Sequence, residues 1–161
     1  MSVSISVENP SLALLHEIAS LGQKSWDDCS SIKGETCAFH GERGFAIEPN
    51  FEQYQWLADQ GALLIVTLRD GGQLQGYGLG ILYRSLHHKP VMAANVDTFY
   101  IEPGYRARAA VLIERIEAEF KVRGASIVGW PTSPEGPLCE MLKALGYSPD
   151  DVVMEKKLCA L

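Results

Sequence analysis

Apolar residues recur with two different periods in the first part of the chain. Residues Ser2–Val7 alternate polar and apolar side chains, a period that is typical of an edge or half-buried strand. Over Leu12–Gly22 the apolar spacing changes to three and four residues, which predicts a helix that the glycine ends. A second amphipathic helix is predicted between Asn50, its N-cap, and Gly61. Residues 23–50 keep no period, and we expect an irregular segment there.

The middle of the chain predicts a hairpin followed by a third strand. Ala62–Leu68 is a short apolar run, and Gln73–Tyr83 is its predicted partner. Between them Asp70–Gly72 is a strong turn signal, because glycine reaches positive φ without strain. Glycines at alternate positions of the partner strand indicate either a face that a ligand or neighbouring element approaches closely or simply a weak strand. Val91–Ile101 is the next predicted strand, and Pro103 ends it.

The last third of the chain alternates helix and strand. Ala109–Arg123 is the most helical stretch, and Ala125–Trp130 is predicted to be a short buried strand. A helix is predicted between Pro134 and Gly146, and Val152–Leu158 is the predicted last strand. The predicted order is β-α-α-β-β-β-α-β-α-β. It indicates an α/β fold with a mixed (α+β) sheet, in which antiparallel neighbours come first and a crossover helix joins strands four and five.

Composition limits the kind of protein and its partners. The 161 residues fit one domain, and we expect 1–161 to fold as a single unit. A net charge of −6 opposes binding to nucleic acid and favours a cationic or neutral small partner. Neither a membrane span nor a signal-peptide pattern is present, so we expect a cytoplasmic protein without a membrane partner. The four cysteines form no C-x-x-C pair, and we expect reduced thiols and no metal.

A basic turn of small residues stands directly before the most helical stretch. A helix N-terminus offers unpaired N–H groups and the positive end of the helix dipole, which together suit a phosphate or pyrophosphate. Two arginines in the turn add positive charge. The candidate anion-binding residues are Arg106, Ala107, Arg108, Ala109 and Ala110.

The same region carries a family resemblance. Ile101–Arg106 (IEPGYR), the helix that stops at Gly124, the segment Leu138–Tyr147 (LCEMLKALGY) and the last predicted strand resemble the GCN5-related N-acetyltransferase (GNAT) superfamily over essentially the whole chain. The likeness is closest to short acetyltransferase-like proteins of bacteriophages and bacteria. It implies the GNAT acyl-CoA N-acyltransferase fold and acetyl-CoA as cosubstrate. It also implies that the acetyl group is transferred by direct attack of a primary amine that belongs to a small cationic or peptide acceptor.

The resemblance also assigns roles to individual residues. Asp97, four residues before Ile101, becomes the candidate general base that takes the proton of the ammonium group. A structural carboxylate that pairs with an arginine or lies in solvent is the alternative. The backbone of Phe99, Tyr100 and Ile101 is implied to hold the acetyl and pantetheine amides as an added strand would. Arg106–Ala110 is implied to hold the pyrophosphate.

The chain departs from the family pattern at two places. Alanines stand where the pyrophosphate turn usually has glycine, and the frequent tyrosine acid falls on Leu142, which has no proton to donate. Tyr147 could supply that proton, or it could be a core aromatic. His87 and His88 could move a proton, although a pair of residues in a surface loop is the preferred interpretation.

Other functions therefore stay open. An inactive acetyltransferase fold that serves as a binding or structural module is one, since folds outlive their sites. Transfer of a group to a nucleotide or nucleobase is another, and it would need a local basic patch of Arg106, Arg108, Arg115 and Arg123. The acidic and aromatic residues of 23–50 suit an amine acceptor or serve solubility alone. We expect a monomer or a homodimer.

Overall fold

Within residues 2–33, 49–132 and 134–149, which the computed structural model describes, five strands form one mixed sheet with helices on both faces. For residues 25–33 only the backbone is described. The strands are β1 (Val3–Val7), β2 (Leu63–Asp70), β3 (Gln73–Arg84), β4 (Met92–Ile101) and β5 (Ile127–Gly129). The helices are α1 (Leu12–Lys33), α2 (Phe51–Asp59), α3 (Ala109–Val122) and α4 (Pro137–Ala144), and a 3-10 helix covers Pro103–Arg108.

The strands lie in the sheet in their chain order. β1 to β4 are antiparallel neighbours, whereas β5 runs parallel to β4. The parallel pair is joined through α3, as a crossover connection requires. The predicted mixed sheet and its crossover helix are therefore confirmed, and the predicted last strand over 152–158 lies outside the described residues.

Each face of the sheet has its own hydrophobic core. On one face, side chains of β2 and β4 pack with α3 around Leu112, Ile116 and Phe120. On the other face, α1 and α2 cover Ile65 and Leu79. The two cores therefore place α3 on one face of the sheet and α1 and α2 on the other. The candidate site lies on the face that α1 and α2 cover.

The alternating glycines of β3 let α3 approach the sheet closely. A Cβ added at Gly78 would overlap the side chain of Ile116, and one at Gly80 would overlap the ring of Phe120. Real Cβ atoms do not approach other atoms this closely, so a side chain at either position would force Ile116 or Phe120 to move. Of the two interpretations of this pattern, close approach by a neighbouring element is the correct one.

Several predicted breaks occur at glycines with positive φ. Gly71 and Gly72 form the β2–β3 turn with φ of 56° and 86°. Gly61, Gly124 and Gly146 follow the ends of α2, α3 and α4 with φ between 67° and 92°. Glycine adopts this left-handed region without a Cβ clash, which is why the sequence predicts a turn or a helix end at these positions.

The prediction that Gly22 ends the first helix is wrong. α1 continues to Lys33, so residues 23–33 are helical rather than irregular, and residues 34–48 lie outside the described part of the chain. Gly22 does not have positive φ. An ideal Cβ there would stand 2.9 Å from the hydroxyl oxygen of Tyr77, so this glycine lets the helix pass close to the sheet.

The predicted strand Ala125–Trp130 is shorter and more exposed than expected. β5 covers only Ile127–Gly129, and the Ile127 side chain is 59% exposed. Similarly, α4 begins at Pro137 rather than at Pro134. A short β5 matters for the site, because in the described part of the chain it leaves one edge of β4 unpaired beyond residue 95.

Candidate active site

A β-bulge in β4 places Asp97 outside the regular strand ladder. Leu79 of β3 pairs with Thr98, and the next residue of β3, Gly80, pairs with Val96. Asp97 is therefore an extra residue in β4 with no partner across the strand. Bulges bend a strand and redirect a side chain, and they are common beside active sites.

The bulge also changes which residues of β4 face which core. Before it, Ala94 and Val96 belong to the core beneath α3. After it, Ile101 belongs to that core and Phe99 packs against it, whereas Tyr100 belongs to the core beneath α1. The step of three residues between Val96 and Phe99, within a strand of period two, is the sequence signal of this bulge.

The second half of β4 has an open edge. β5 pairs with β4 only at residues 93–95, so among the described residues no strand pairs with that edge over 96–101. The N–H of Glu102 donates to the carbonyl of Gln75 next to β3 at 2.8 Å. Because successive residues of a strand direct their polar backbone groups to opposite sides, Phe99 and Ile101 direct theirs to the open edge.

The same alternation separates Tyr100 from its two neighbours. Tyr100 is paired with Tyr77, and its backbone groups point toward β3. Its side chain is buried beneath α1. Of the three residues that the resemblance assigned to backbone contacts, Phe99 and Ile101 therefore offer N–H and C=O groups to the open edge, and Tyr100 helps to anchor the strand.

The Asp97 carboxylate is exposed and has a tyrosine partner. The hydroxyl of Tyr54, on α2, donates to Oδ2 of Asp97 at 3.1 Å. Among the described residues Asp97 forms no ion pair with an arginine, whereas its exposure is compatible with the alternative of a carboxylate that lies in solvent. Burial, and then the negative charge of Asp97, raise the pKa of Tyr54, and its hydroxyl therefore stays protonated.

A second tyrosine lies in the field of the same carboxylate. Tyr77 belongs to β3, and its side chain is buried beneath α1. Burial raises the pKa of its hydroxyl, and the charge of Asp97 contributes further. Both tyrosines thus remain neutral beside the Asp97 carboxylate. Sequence reasoning did not find Tyr54, because 43 positions separate it from Asp97 and no local pattern relates them.

The next carboxylate along the chain, Glu102, is already engaged. Its Oε1 lies 2.6 Å from Nζ of Lys24 on α1, and its Oε2 accepts a hydrogen bond from the hydroxyl of Tyr100 at 3.4 Å. Only 21% of the Glu102 side chain is exposed. The ion pair ties α1 to the end of β4 and makes Glu102 less suitable than Asp97 as a base.

The basic turn before α3 is a 3-10 helix that uses several of its own N–H groups. In such a helix each N–H bonds the carbonyl three residues earlier. The N–H of Tyr105 donates to Glu102 at 2.8 Å, and the N–H of Ala109 donates to Arg106. Ala109 also directs its side chain into the core beneath α3. The turn therefore differs from an open loop of unpaired donors.

The arginines of this turn are directed outward. Arg106, Ala107 and Arg108 are exposed, and Ala110 is half-buried. Neither guanidinium group forms an ion pair or a hydrogen bond with another residue of the described ranges. Two uncompensated positive charges thus stand at the end of the open edge of β4.

Half-buried aromatic side chains lie next to the open edge of β4, on the side away from β3. The ring of Trp130 meets the ring of Phe99 edge-on, with centroids 5.4 Å apart. Trp130 Nε1 donates to the hydroxyl of Tyr147 at 2.9 Å, and that hydroxyl donates to Oε1 of Glu117 on α3 at 2.6 Å. Burial and the hydrogen bond to Glu117 raise the pKa of Tyr147. Leu142 is 4% exposed and belongs to the core.

Other candidate residues do not reach this site. His87 and His88 lie in the turn before β4, at the opposite end of that strand from Ile101. Within the described residues no group of His, Cys, Asp and Glu side chains could hold a metal ion. None of the described helices is long and apolar enough to cross a membrane.

The basic patch that a nucleotide acceptor would need is not assembled. Arg123 donates to the carbonyl of Leu63 at 2.9 Å and to Glu119 at 3.1 Å. Arg115 approaches the same Glu119 at 3.9 Å. These two arginines are engaged along α3, away from Arg106, so four positive groups do not converge.

Comparison with known proteins gives a result for structure and none for sequence. No protein-family model and no curated protein matches the chain. Solved structures match over nearly its whole length. An aminoglycoside acetyltransferase from an uncultured soil metagenomic sample superposes with a TM-score of 0.73 at 14% identity, covering 99% of this chain and 100% of its own.

Two further structures extend the comparison. A ribosomal-protein-alanine N-acetyltransferase from Brucella melitensis biovar Abortus 2308 matches with a TM-score of 0.65 at 17% identity, over 98% of this chain and 100% of its own. AAC(6')-Iy in complex with the bisubstrate analogue CoA-S-monomethyl-acetylneamine matches with a TM-score of 0.66 at 15% identity, over 97% and 99% of the two chains. The shared architecture over these full lengths shows that the chain has the GNAT acyl-CoA N-acyltransferase fold.

Proposed function

We propose that the chain is an acetyl-CoA-dependent N-acetyltransferase that acetylates the primary amine of a small cationic or peptide acceptor by direct attack. One observation carries this proposal: the Asp97 carboxylate stands on a bulge of β4 where the open edge of that strand begins. A group that attracts and deprotonates an amine is thereby next to a backbone edge that suits a pantetheine chain. The matching structures named as aminoglycoside and ribosomal-protein-alanine acetyltransferases support it.

The residues along the open edge fit acetyl-CoA. Its pantetheine arm carries two amides, which need donors and acceptors spaced as along a strand. Phe99 and Ile101 direct such groups to the open edge, and we assign the amide contacts to them. Tyr100, whose backbone pairs with β3, holds the strand in place.

At the phosphate end the proposal depends on side chains. Arg106 and Arg108 are exposed and carry the charge that a pyrophosphate requires. The N–H of Ala109 is donated within the turn, and Ala107 lies inside the same 3-10 helix, so we assign the backbone contribution to Ala110 in the first turn of α3. Ala109 contributes its small size, which allows the start of α3 to lie against the sheet.

The chemistry requires the chain to remove a proton from the acceptor. An ammonium group cannot attack, and Asp97 both attracts the cation and accepts its proton, directly or through one water molecule. Acetyl-CoA supplies the acetyl group as a thioester. The acceptor nitrogen bonds to the acetyl carbon and the carbon–sulfur bond breaks. The second proton that the nitrogen loses passes through water to the departing sulfur, since Leu142 has none to donate.

Coenzyme binding and acetyl transfer are tested separately. Calorimetry with acetyl-CoA at millimolar concentration should show binding, and the melting temperature should rise, because a ligand of the native state stabilises it. Release of free thiol should then be followed with an aminoglycoside, a polyamine and a peptide with a free N-terminus. Absence of both heat and a thermal shift would contradict the coenzyme assignment.

A second function is favoured by one observation. The 3-10 turn carries alanines and donates some of its N–H groups internally, which suits a module that has lost tight coenzyme binding. Such a binding or structural module predicts no thiol release above the uncatalysed rate with any amine. It would also show no loss of function when Asp97 is replaced.

A further inference from the structure

The geometry points to Tyr54 as a positioning residue for Asp97: its hydroxyl holds Oδ2 and leaves Oδ1 to receive the proton of the acceptor amine. The contact joins α2 to the bulge of β4 at 3.1 Å. This inference rests on the proposed function, because it gives the Asp97 carboxylate a defined orientation in that reaction. Tyr54 itself acts through Asp97 and touches no reacting atom in this scheme.

The first step is that the helix α2 and packing against the core beneath α1 fix the position of Tyr54. α2 begins at the N-cap Asn50, whose side chain accepts a hydrogen bond from the N–H of Gln53 at 3.0 Å. Tyr54 is half-buried and packs against the core beneath α1, as do Leu57 and Ala58 of the same helix. Its ring is therefore fixed by packing, and its hydroxyl has a fixed position from which to donate.

The second step is that this hydroxyl stays protonated and donates to Asp97. Burial first, and then the charge of Asp97, raise the pKa of Tyr54, so the phenol stays protonated at the pH of any ordinary assay. A hydrogen bond to an ionised acceptor is stronger than one between neutral groups. Tyr54 thus stabilises the charged carboxylate without competing for the substrate proton.

The third step concerns the freedom of Asp97 without this contact. Asp97 is exposed and has no cross-strand partner, because it is the extra residue of the bulge. An exposed side chain samples several rotamers, and a base must hold one orientation to be effective. Among the described residues Tyr54 is the hydrogen-bond partner that selects it.

The test is a double-mutant cycle on turnover. Tyr54→Phe removes the hydroxyl and keeps the ring, and we expect it to lower kcat about tenfold, the low end for a hydrogen bond to a charged group. KM for acetyl-CoA should not change. In an Asp97→Asn background the same substitution should lower kcat no further, because the carboxylate that it orients is gone.

A matched control uses a tyrosine elsewhere. Tyr83, near the end of β3, is 50% exposed, and its hydroxyl bonds no other group of the described residues. Tyr83→Phe should leave kcat unchanged. Equal losses from Tyr54→Phe in the wild-type and Asp97→Asn backgrounds would overturn the inference and leave the proposed acetyltransferase function standing.

A crystallographic comparison decides the inference even if no amine is acetylated. In crystals of the wild type, the Asp97 carboxylate should occupy one rotamer within hydrogen-bond distance of Tyr54. In Tyr54→Phe crystals it should spread over two or more rotamers. A single unchanged rotamer in the variant would overturn the positioning role. Absence of thiol release by the wild type would overturn the proposed function and leave only the orientation of Asp97 by Tyr54 standing.

Discussion

The two ends of the open β4 edge are built in different ways. At the bulge, Asp97 accepts a hydrogen bond from Tyr54, and its charge contributes to the raised pKa of Tyr77, so side chains from three separate elements determine the local chemistry. At the 3-10 helix, two exposed arginines supply the charge while backbone donors are partly used internally. The first end depends on tertiary placement, whereas the second depends on the charge of side chains from one short segment.

The two ends differ because different side chains are buried at each of them. Tyr54 and Tyr77 lie in the core beneath α1, so a neutral hydroxyl can be fixed close to a carboxylate there. At the other end, Ala109 already occupies the core beneath α3, and the chain reaches it through a tight 3-10 turn. A wider glycine loop would free more donors, but this chain has alanines instead.

The largest effect is expected from Asp97→Asn. General base catalysis contributes about 10²–10⁴-fold, so kcat should fall by that order while coenzyme affinity and melting temperature change little. Steady-state kinetics on an amine that the wild type accepts measures it. Asp59→Asn is the control, because Asp59 is an exposed carboxylate of α2 that accepts a hydrogen bond from the side-chain amide of Gln55. Near-full turnover of Asp97→Asn between about pH 6 and 9 would make Asp97 structural.

Arg106→Ala should act on the other end alone. If its guanidinium pairs with a phosphate, acetyl-CoA binding should weaken by about 1.5–3 kcal/mol, with kcat at saturation preserved. Calorimetry gives the dissociation constant. Arg115→Ala, at a half-exposed arginine of α3, should leave that constant unchanged. An unaltered constant in Arg106→Ala would place the pyrophosphate elsewhere and remove the contrast between the two ends.

Gly78→Ala tests how far α3 supports the phosphate end. A Cβ at Gly78 would overlap Ile116, and overpacking of this kind costs about 1–3 kcal/mol of unfolding free energy. Displacing α3 should also weaken acetyl-CoA binding, since the 3-10 helix runs directly into it. Gly104→Ala, where no atom lies within 4 Å of an added Cβ, is the matched control for stability. Equal denaturation midpoints for both variants would contradict the close approach of α3.

The smallest effect concerns a charged cluster that Arg69 of β2 forms with Glu8 and with Glu17 of α1. Hydrogen bonds from Arg69 lower the pKa of Glu17, so this pair stabilises the fold above the ordinary glutamate value near 4.5. The contribution is lost as pH falls through the lowered pKa of the folded state. Glu17→Gln should reduce the loss of stability below pH 4.5 by less than about 1 kcal/mol, the range of exposed ion pairs.

Acid denaturation followed for wild type and Glu17→Gln checks this sign. Turnover at neutral pH should be the same in both proteins, because Glu17 contacts Arg69 between α1 and β2 and not the β4 edge. A variant that loses more stability than the wild type at low pH would contradict the direction of the pKa shift.

Local signals made most of the fold predictable. The turn at Gly71 and the helix ends at Gly124 and Gly146 depend on backbone conformations that only glycine adopts easily, and all three occur as expected. Gly22 looks the same in sequence but serves a contact with Tyr77, a residue 55 positions away by number. A glycine needed for close approach and one needed for positive φ cannot be distinguished without the fold.

The candidate site was predictable only in part for the same reason. Asp97 is assigned by the resemblance to the GNAT superfamily, and the arginines of the turn follow from their position before one helix start. Tyr54 does not, because its relation to Asp97 exists only after α2 has packed on the sheet. The internal hydrogen bonds of Ala109 also required the observed 3-10 geometry.

The bulge has a consequence for how the carboxylate can be gained or lost. Val96 faces one core, Thr98 pairs with Leu79, and Phe99 returns to the first core, so the strand would alternate regularly if Asp97 were absent. The residue is thus an addition to the strand that leaves the packing pattern on either side intact. A single-codon insertion or deletion at this point would add or remove the base while keeping every inward-facing residue of β4 on its own side.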